Sequence, residues 1–158
     1  MKKLAIDTNV IVKAFKDRQP EHCELVYSVP RYFHLVLDYN QKIQKEYRNN
    51  VGLAQGFQKW WKHLQRKKAF AWAEGNLDNK HRCRLSSLGC HEDLDHTVLA
   101  VAYNTDKLLV SEDSDFGKGP KGSEPPHCDA LAYIRDKMGV CVLDAHEAVE
   151  LLLQPKPT

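Results

Sequence analysis

Leu4-Ala5-Ile6-Asp7-Thr8-Asn9 is the stretch that decides the predicted fold of this 158-residue chain. Three small or apolar residues precede a polar triplet, and Val10-Ile11-Val12 follows. The pattern predicts a buried strand and a polar turn that opens a helix. Thr8 or Asn9 is the expected N-cap of that helix, and the simplest role for Asp7 is to help cap it. Ligands of open α/β sheets bind outside the carboxyl ends of the strands, so Asp7 is equally well placed for chemistry.

Length and composition predict one globular domain over residues 1–153, followed by a tail over 154–158. Hydrophobic residues make up 42% of the chain and charged residues 28%, which is typical of globular proteins. No apolar run approaches the roughly 20 residues of a membrane span, and the chain starts without the apolar region of a signal peptide. These features predict a cytoplasmic protein that does not enter a membrane. The five cysteines have no regular spacing, so we expect reduced thiols.

The alternation of predicted strands and helices favours an α/β protein with a central parallel sheet and helices on both faces. A short helix is predicted over 21–28 and ended by Pro30, and the aromatic and branched run 31–37 predicts the second strand. The polar run 39–50 has helix composition. The other predicted strands lie over 69–73, 107–110 and 139–143.

Charge is distributed unevenly along the chain. Residues 42–84 contain eleven Lys and Arg against three acids, whereas residues 85–158 contain thirteen acids against six bases. Such a division suits a polyanion that is held by a basic face and cut by carboxylates. The simpler interpretation is that these charges belong to solvated helix faces.

A basic helix predicted over 53–68 is the candidate nucleic-acid-binding segment. Its Trp60 and Trp61 would either stack on bases or belong to the core. The residues predicted to contact the nucleic acid are Lys62, Arg66, Lys67 and Lys68.

Four acids are predicted to meet at one end of the sheet. Asp7 and Asp113 follow predicted strands, Asp95 lies one turn into a small-residue helix, and Glu46 shares a helix face with Ile43 and Tyr47. Carboxylates packed together resist ionisation unless a cation lies among them. Mg²⁺ or Mn²⁺ suits oxygen ligands and can activate a water for attack on a phosphate.

Taken together, the segments that carry these acids resemble a PIN domain. They are Ile6-Asp7-Thr8-Asn9, the helix Ile43-Gln44-Lys45-Glu46-Tyr47, Asp95 before Val98-Leu99-Ala100-Val101-Ala102, and Leu109-Val110-Ser111-Glu112-Asp113-Ser114-Asp115-Phe116. The resemblance covers the chain from the first strand to the final helix, and the order and spacing of the acids fit it. It implies a PIN-like sheet and a metal-dependent endoribonuclease.

The resemblance also implies roles for the matched residues. The implied catalytic acids are Asp7, Glu46, Asp95 and Asp113. The implied ligands of Mg²⁺ or Mn²⁺ are Asp7, Asp95 and Asp113, with Asp115 assisting or replacing Asp113. Glu46 would bind the metal through water or act as general base. Hydrogen bonds that orient waters or carboxylates are implied for Thr8, Asn9 and Ser111.

Many small bacterial proteins that this chain resembles are VapC-type toxins, which implies an antitoxin protein and a homodimer as partners besides RNA. Two alternatives share the fold: a non-catalytic module that binds RNA or protein, and a DNA-directed nuclease. A phosphatase-type enzyme would need a second acid where Asn9 stands. Cys90-His91 is only a sequence neighbour pair and does not indicate a cysteine nucleophile. A zinc site is not favoured, because no usual spacing links the candidates His81, Cys83, Cys90, His91 and His96.

Overall fold

The structure, a computed structural model, describes residues 1–89, 93–113, 116, 118 and 130–153, with the backbone alone for residues 93–95. The predicted tail 154–158 lies outside these residues. Within the described part of the chain, no helix combines the length and apolar character needed to span a membrane.

Five parallel strands form one sheet in the order β3-β2-β1-β4-β5. This arrangement confirms the predicted α/β class and the central parallel sheet. Leu4, Ala5 and Ile6 of the central strand are fully buried. The strands are β1 (Lys2–Ile6), β2 (Phe33–Asp38), β3 (Phe70–Ala73), β4 (Leu108–Val110) and β5 (Cys141–Leu143).

Helices cover both faces of the sheet, as predicted. The right-handed rule for parallel crossovers puts the helices between β1 and β3 on one face and those between β3 and β5 on the other. Accordingly α2 packs on β2, while α6 packs across β1, β2 and β4. In the described residues the helices are α1 (Thr8–Phe15), α2 (Pro20–Tyr32), α3 (Lys42–Val51), α4 (Phe57–Arg66), α5 (Asn79–Ser87), α6 (Asp93–Tyr103), α7 (Ala130–Asp136) and α8 (Ala145–Leu152).

The prediction that Pro30 ends the second helix is wrong, because α2 continues to Tyr32. Proline cannot donate the backbone hydrogen bond that a helix residue gives to the carbonyl four positions earlier, here that of Val26. The Trp60 indole Nε1 donates to this carbonyl instead, at 2.8 Å. A side chain from α4 thus supplies the missing donor, and the helix runs on through the proline.

The predicted helix over 53–68 is also shorter in the structure, where α4 begins only at Phe57. Gly56 stands before it with φ +92°, a conformation that glycine adopts easily. Trp60 and Trp61 are only 3% and 5% exposed, so both rings belong to the hydrophobic core. The alternative in which these two rings stack on nucleic-acid bases is therefore wrong, and the alternative that they belong to the core is confirmed.

The neighbours β1 and β4 define the point where the strand order reverses. From β1 the chain moves outward through β2 and β3, and it returns to the other side of β1 with β4 and β5. Ala5 and Ile6 of β1 pair with Leu109 and Val110 of β4. A crevice forms outside the carboxyl ends of strands at such a reversal and is the usual ligand site of open α/β sheets.

Candidate active site

Asp7 lies at the carboxyl end of β1, where the strand order reverses, and is only 5% exposed. Ser111 Oγ donates to Asp7 Oδ2 at 2.7 Å, and the backbone amide of Thr8 donates to Oδ1 at 2.8 Å. Asp7 is itself the N-cap of α1, so the expectation that Thr8 or Asn9 would fill that position is wrong. A carboxylate oxygen can accept more than one bond, so capping leaves Asp7 able to bind a further group.

The pKa of Asp7 is raised to about 6. Burial of the carboxylate is the largest cause, and the negative charges of Asp113 and Glu46 raise it further. The hydrogen bonds from Ser111 and Thr8 favour the charged form and only partly offset these effects. The structure therefore brings three of the predicted acids close enough for their charges to interact.

Glu46 reaches this site from α3, whose first turn is held by a second buried acid. Asp38, only 1% exposed at the end of β2, accepts hydrogen bonds from the backbone amides of Lys42 (3.0 Å) and Ile43 (2.9 Å). Sequence reasoning assigned Asp38 no role beyond closing the strand. Its signal was an acid between a strand and a helix, the same pattern that singled out Asp7.

Tyr47 fixes α3 against the central strand. Its hydroxyl donates to the backbone carbonyl of Ile6, the residue before Asp7. Burial, together with the negative charges of Asp7 and Asp38, raises the pKa of Tyr47 well above its usual value. The phenol stays protonated as a donor, and the neighbouring Glu46 keeps a half-buried position in which Asn50 Nδ2 donates to its Oε1 at 3.1 Å.

Asp113 follows β4, the strand that neighbours β1 at this reversal of strand order. Its backbone amide donates to Ser111 Oγ at 3.1 Å, so one hydroxyl links Asp113 to the carboxylate of Asp7. The backbone carbonyl of Asp113 accepts from the amides of Phe116 (3.1 Å) and Lys118 (3.0 Å).

Asp95 lies in the first turn of α6, and its side chain is outside the described part of the structure. α6 ends shortly before β4 starts, so its first turn points toward the carboxyl end of the sheet. An added Cβ at Gly75 would come within 2.9 Å of Asp38 Cβ and 3.1 Å of Thr97 Cγ2, which places the start of α6 beside β2 at this end. Asp115 lies outside the described residues.

Glu112 forms a polar cluster beside the acids that sequence reasoning did not single out. Its carboxylate accepts hydrogen bonds from Lys13 Nζ and from the Ala145 amide (3.1 Å), and His22 Nε2 lies 2.9 Å from its Oε2. The Glu112 amide in turn donates to Asn9 Oδ1 at 3.2 Å. Burial alone would raise the pKa of Glu112, but the bonds with Lys13 and His22 outweigh it and lower the pKa. Glu112 thus ties α1, α2 and α8 to the end of β4.

The predicted nucleic-acid-binding residues Lys62, Arg66, Lys67 and Lys68 are exposed, at the end of α4 and in the turn before β3. β3 starts at Phe70, so this turn lies at the amino end of the sheet, opposite Asp7. RNA binding by these four residues stays a prediction, and the structure separates them from the acids.

The chemistry of the described acids fits a hard divalent cation. Asp7, Glu46 and Asp113 offer carboxylate oxygens, which Mg²⁺ and Mn²⁺ prefer to the nitrogen and sulfur ligands typical of zinc. Among side chains the structure describes, which exclude those of Asp95 and Asp115, no group of three or more His, Cys, Asp and Glu is arranged to hold a metal. His81, one of the zinc candidates, has its Nδ1 2.6 Å from the Tyr133 hydroxyl.

The raised pKa of Asp7 predicts how stability depends on pH. The folded state holds a proton on Asp7 up to about pH 6, whereas an unfolded chain releases it near pH 3.8. Proton uptake on folding makes the free energy of unfolding fall as pH rises between these values. An Asp7→Asn variant lacks this penalty, so we expect it to be more stable than the wild type by roughly 2 to 3 kcal/mol at about pH 8 and nearly equal at about pH 4. Urea unfolding across this range measures the difference.

Asp17→Asn is the matched control, because Asp17 is exposed at the end of α1 and carries the same change. Its stability should follow the wild type at every pH. Mg²⁺ should raise the melting temperature of the wild type near pH 8 more than that of Asp7→Asn, since a bound cation offsets the repulsion at Asp7. A constant difference between wild type and Asp7→Asn from acid to alkaline pH would contradict the raised pKa.

Comparisons of this chain with protein-family models, with curated proteins and with solved structures found no match.

Proposed function

We propose that this protein is a metal-dependent endoribonuclease with a PIN-like active site at the carboxyl ends of β1 and β4. The observation that carries the proposal is the buried carboxylate of Asp7, whose pKa is raised by burial and by the charges of Asp113 and Glu46. A fold gains no stability from gathering like charges around a buried acid, and perturbed acids in a cleft are typical of catalytic sites. The position at the reversal of strand order supports the same proposal.

In this proposal Asp7, Asp95 and Asp113 hold Mg²⁺ or Mn²⁺, with Asp115 assisting or replacing Asp113. When bound, the cation supplies charge stabilisation at the phosphate and a lower pKa of the attacking water. Ser111 keeps one carboxylate oxygen of Asp7 oriented, and it stays uncharged so that it adds no repulsion.

Glu46 is proposed as the general base. A half-buried carboxylate with one bond from Asn50 can accept a proton from water while that water attacks phosphorus. The phosphorus–oxygen bond to the next nucleotide breaks, and the leaving oxygen takes up a proton. The Asn9 side chain accepts from the Glu112 amide and links the segments that follow β1 and β4, while the Thr8 amide donates to Asp7 and orients its carboxylate.

The proposed substrate is RNA and the proposed location is the cytosol. In the toxin form of the proposal, an antitoxin protein and a second copy of the chain are the partners. RNA binding without catalysis and cleavage of DNA are the alternatives that the following experiment separates.

The test is incubation of the purified protein with a mixed, structured RNA and with DNA of the same sequence, each in Mg²⁺, Mn²⁺ or EDTA. We expect RNA fragments with either metal and intact RNA in EDTA. Binding of RNA without fragments under every condition would overturn the catalytic proposal. Cleavage of DNA at the rate of RNA would replace the proposed substrate.

A further inference from the structure

A cavity of about 490 Å³ lies between α2 and α4, on the helical layer that covers one face of the sheet. We call it the α2–α4 pocket. It is distinct from the acids at the carboxyl end of the sheet. The side chains that define its character are Tyr27, Arg31, Lys59, Trp60, His63 and Arg66.

The α2–α4 pocket is positively charged. Arg31, Lys59 and Arg66 are exposed and line it together, and none of the described residues that line it carries a carboxyl group. Cations that converge on a concave surface raise the local concentration of anions. The planar guanidinium groups of Arg31 and Arg66 also match the geometry of phosphate oxygens.

One wall of the pocket is an exposed aromatic ring. Tyr27 is 52% exposed, and its ring contacts Phe15 edge-on with the ring centroids 6.2 Å apart. This contact supports one edge of the ring and leaves much of it open to solvent. Gly56 lies close to the other end of the side chain, where an added Cβ would be 3.4 Å from the Tyr27 hydroxyl oxygen.

Trp60 gives the pocket an apolar floor. Its ring is almost fully buried, and its single donor is already bonded to the Val26 carbonyl. The pocket therefore offers an apolar surface, an aromatic face and three cations in one cavity. Nucleotides present the complementary combination, because a flat base is joined to a charged phosphate.

We propose that the α2–α4 pocket binds a nucleotide of single-stranded RNA, with its base on Tyr27 and the flanking phosphates on Arg31, Lys59 and Arg66. The choice of RNA as ligand rests on the proposed function. The pocket is remote from the acids. Helix α1 starts beside Asp7 and ends at Phe15, whose ring contacts Tyr27. Its 8 residues span about 12 Å, at roughly 1.5 Å per residue. An RNA long enough to reach both sites would be anchored away from the bond that is cut.

The test measures binding without cleavage. A fluorescently labelled, unstructured RNA is titrated with protein in EDTA, and anisotropy gives the dissociation constant. We expect about tenfold weaker binding for Lys59→Glu and for Tyr27→Ala, while Tyr27→Phe keeps the ring and binds as the wild type does. The matched control is Lys2→Glu, because Lys2 is exposed at the start of β1, carries the same change of charge and does not line the pocket. Its binding should weaken by less than about twofold.

Three results would overturn the proposal. Equal losses for Lys59→Glu and Lys2→Glu would show a general attraction of RNA to the positive charge of the protein. Unchanged binding by Tyr27→Ala would remove the base contact. Displacement of the RNA by an acidic peptide whose own binding depends equally on Lys59 and Tyr27 would assign the pocket to a protein partner. Binding is measured in EDTA, which suppresses cleavage, so the two proposals are tested separately. If the pocket variants bind RNA like the wild type while the protein cleaves RNA with metal, only this inference is rejected. If the pocket variants bind RNA more weakly but the protein cleaves no RNA, only the proposed function is rejected.

Discussion

An Asp7→Asn variant is expected to lose metal-dependent RNA cleavage by about a thousandfold or more while staying folded. The substitution keeps the shape of the side chain and an oxygen for the Thr8 amide, and it removes the buried negative charge that a cation would bind. A bound cation is expected to stabilise the transition state by several kcal/mol. A thousandfold loss of rate corresponds to about 4 kcal/mol, because each 1.4 kcal/mol changes the rate about tenfold. The measurement is the initial rate of RNA cleavage in Mg²⁺ under single-turnover conditions.

Stability distinguishes this outcome from simple damage to the fold. The same variant should unfold at a higher denaturant concentration than the wild type near pH 8, because it no longer carries a buried carboxylate that neighbouring acids repel. Asp17→Asn, the exposed control, should cleave RNA at the wild-type rate. Cleavage by Asp7→Asn within about tenfold of the wild type would remove Asp7 from the catalytic machinery.

An Asp38→Ala variant is expected to lose roughly 2 to 4 kcal/mol of stability, with activity falling more than the unfolded fraction explains. Alanine removes both acceptors from the Lys42 and Ile43 amides at a position that is only 1% exposed. Unpaired amides at the start of α3 would let its first turn loosen. Glu46 lies one turn further along the same helix, so its position would loosen too. Urea unfolding gives the loss of stability, and the cleavage rate at a temperature where the variant is folded gives the second effect.

Asp38→Asn is the graded comparison. The amide keeps one acceptor oxygen, so we expect a smaller loss of stability, about half that of alanine, and a partial recovery of activity. If Asp38→Ala unfolded within about 0.5 kcal/mol of the wild type, the two amides would not need the carboxylate, and α3 would be positioned by Tyr47 and the core instead.

The parallel sheet was predictable because each strand contains a short apolar run whose residues are mostly buried. A short apolar run followed by an acid can be recognised from neighbouring residues alone. The carboxyl ends of parallel strands all lie at the same edge of the sheet. That reasoning reached Asp7 and Asp113 without knowledge of any contact. It left the N-cap of α1 open between Asp7 and its neighbours Thr8 and Asn9, because the choice depends on backbone angles rather than on composition.

Residues that act across long sequence separations were not predictable. Local sequence rules predict that a helix ends at Pro30. The helix continues because Trp60, thirty residues later, supplies the hydrogen bond that the proline cannot. Glu112 looks like one more acid in an acidic run, yet its partners Lys13 and His22 come from the first two helices. Asp38 differs from these residues, because its signal, an acid between a strand and a helix, is local in the sequence.

The bond between Trp60 and the Val26 carbonyl ties two stages of folding together. In an isolated α2 the Val26 carbonyl would have no hydrogen-bond donor, because Pro30 has no amide hydrogen. The last turn of α2 therefore gains its full stability only once α4 has docked and Trp60 donates to this carbonyl. The two helices should then form as one cooperative unit, and amide and indole protons at their junction should exchange with solvent together during partial opening. The α2–α4 pocket would then be assembled or lost as a whole, never half formed.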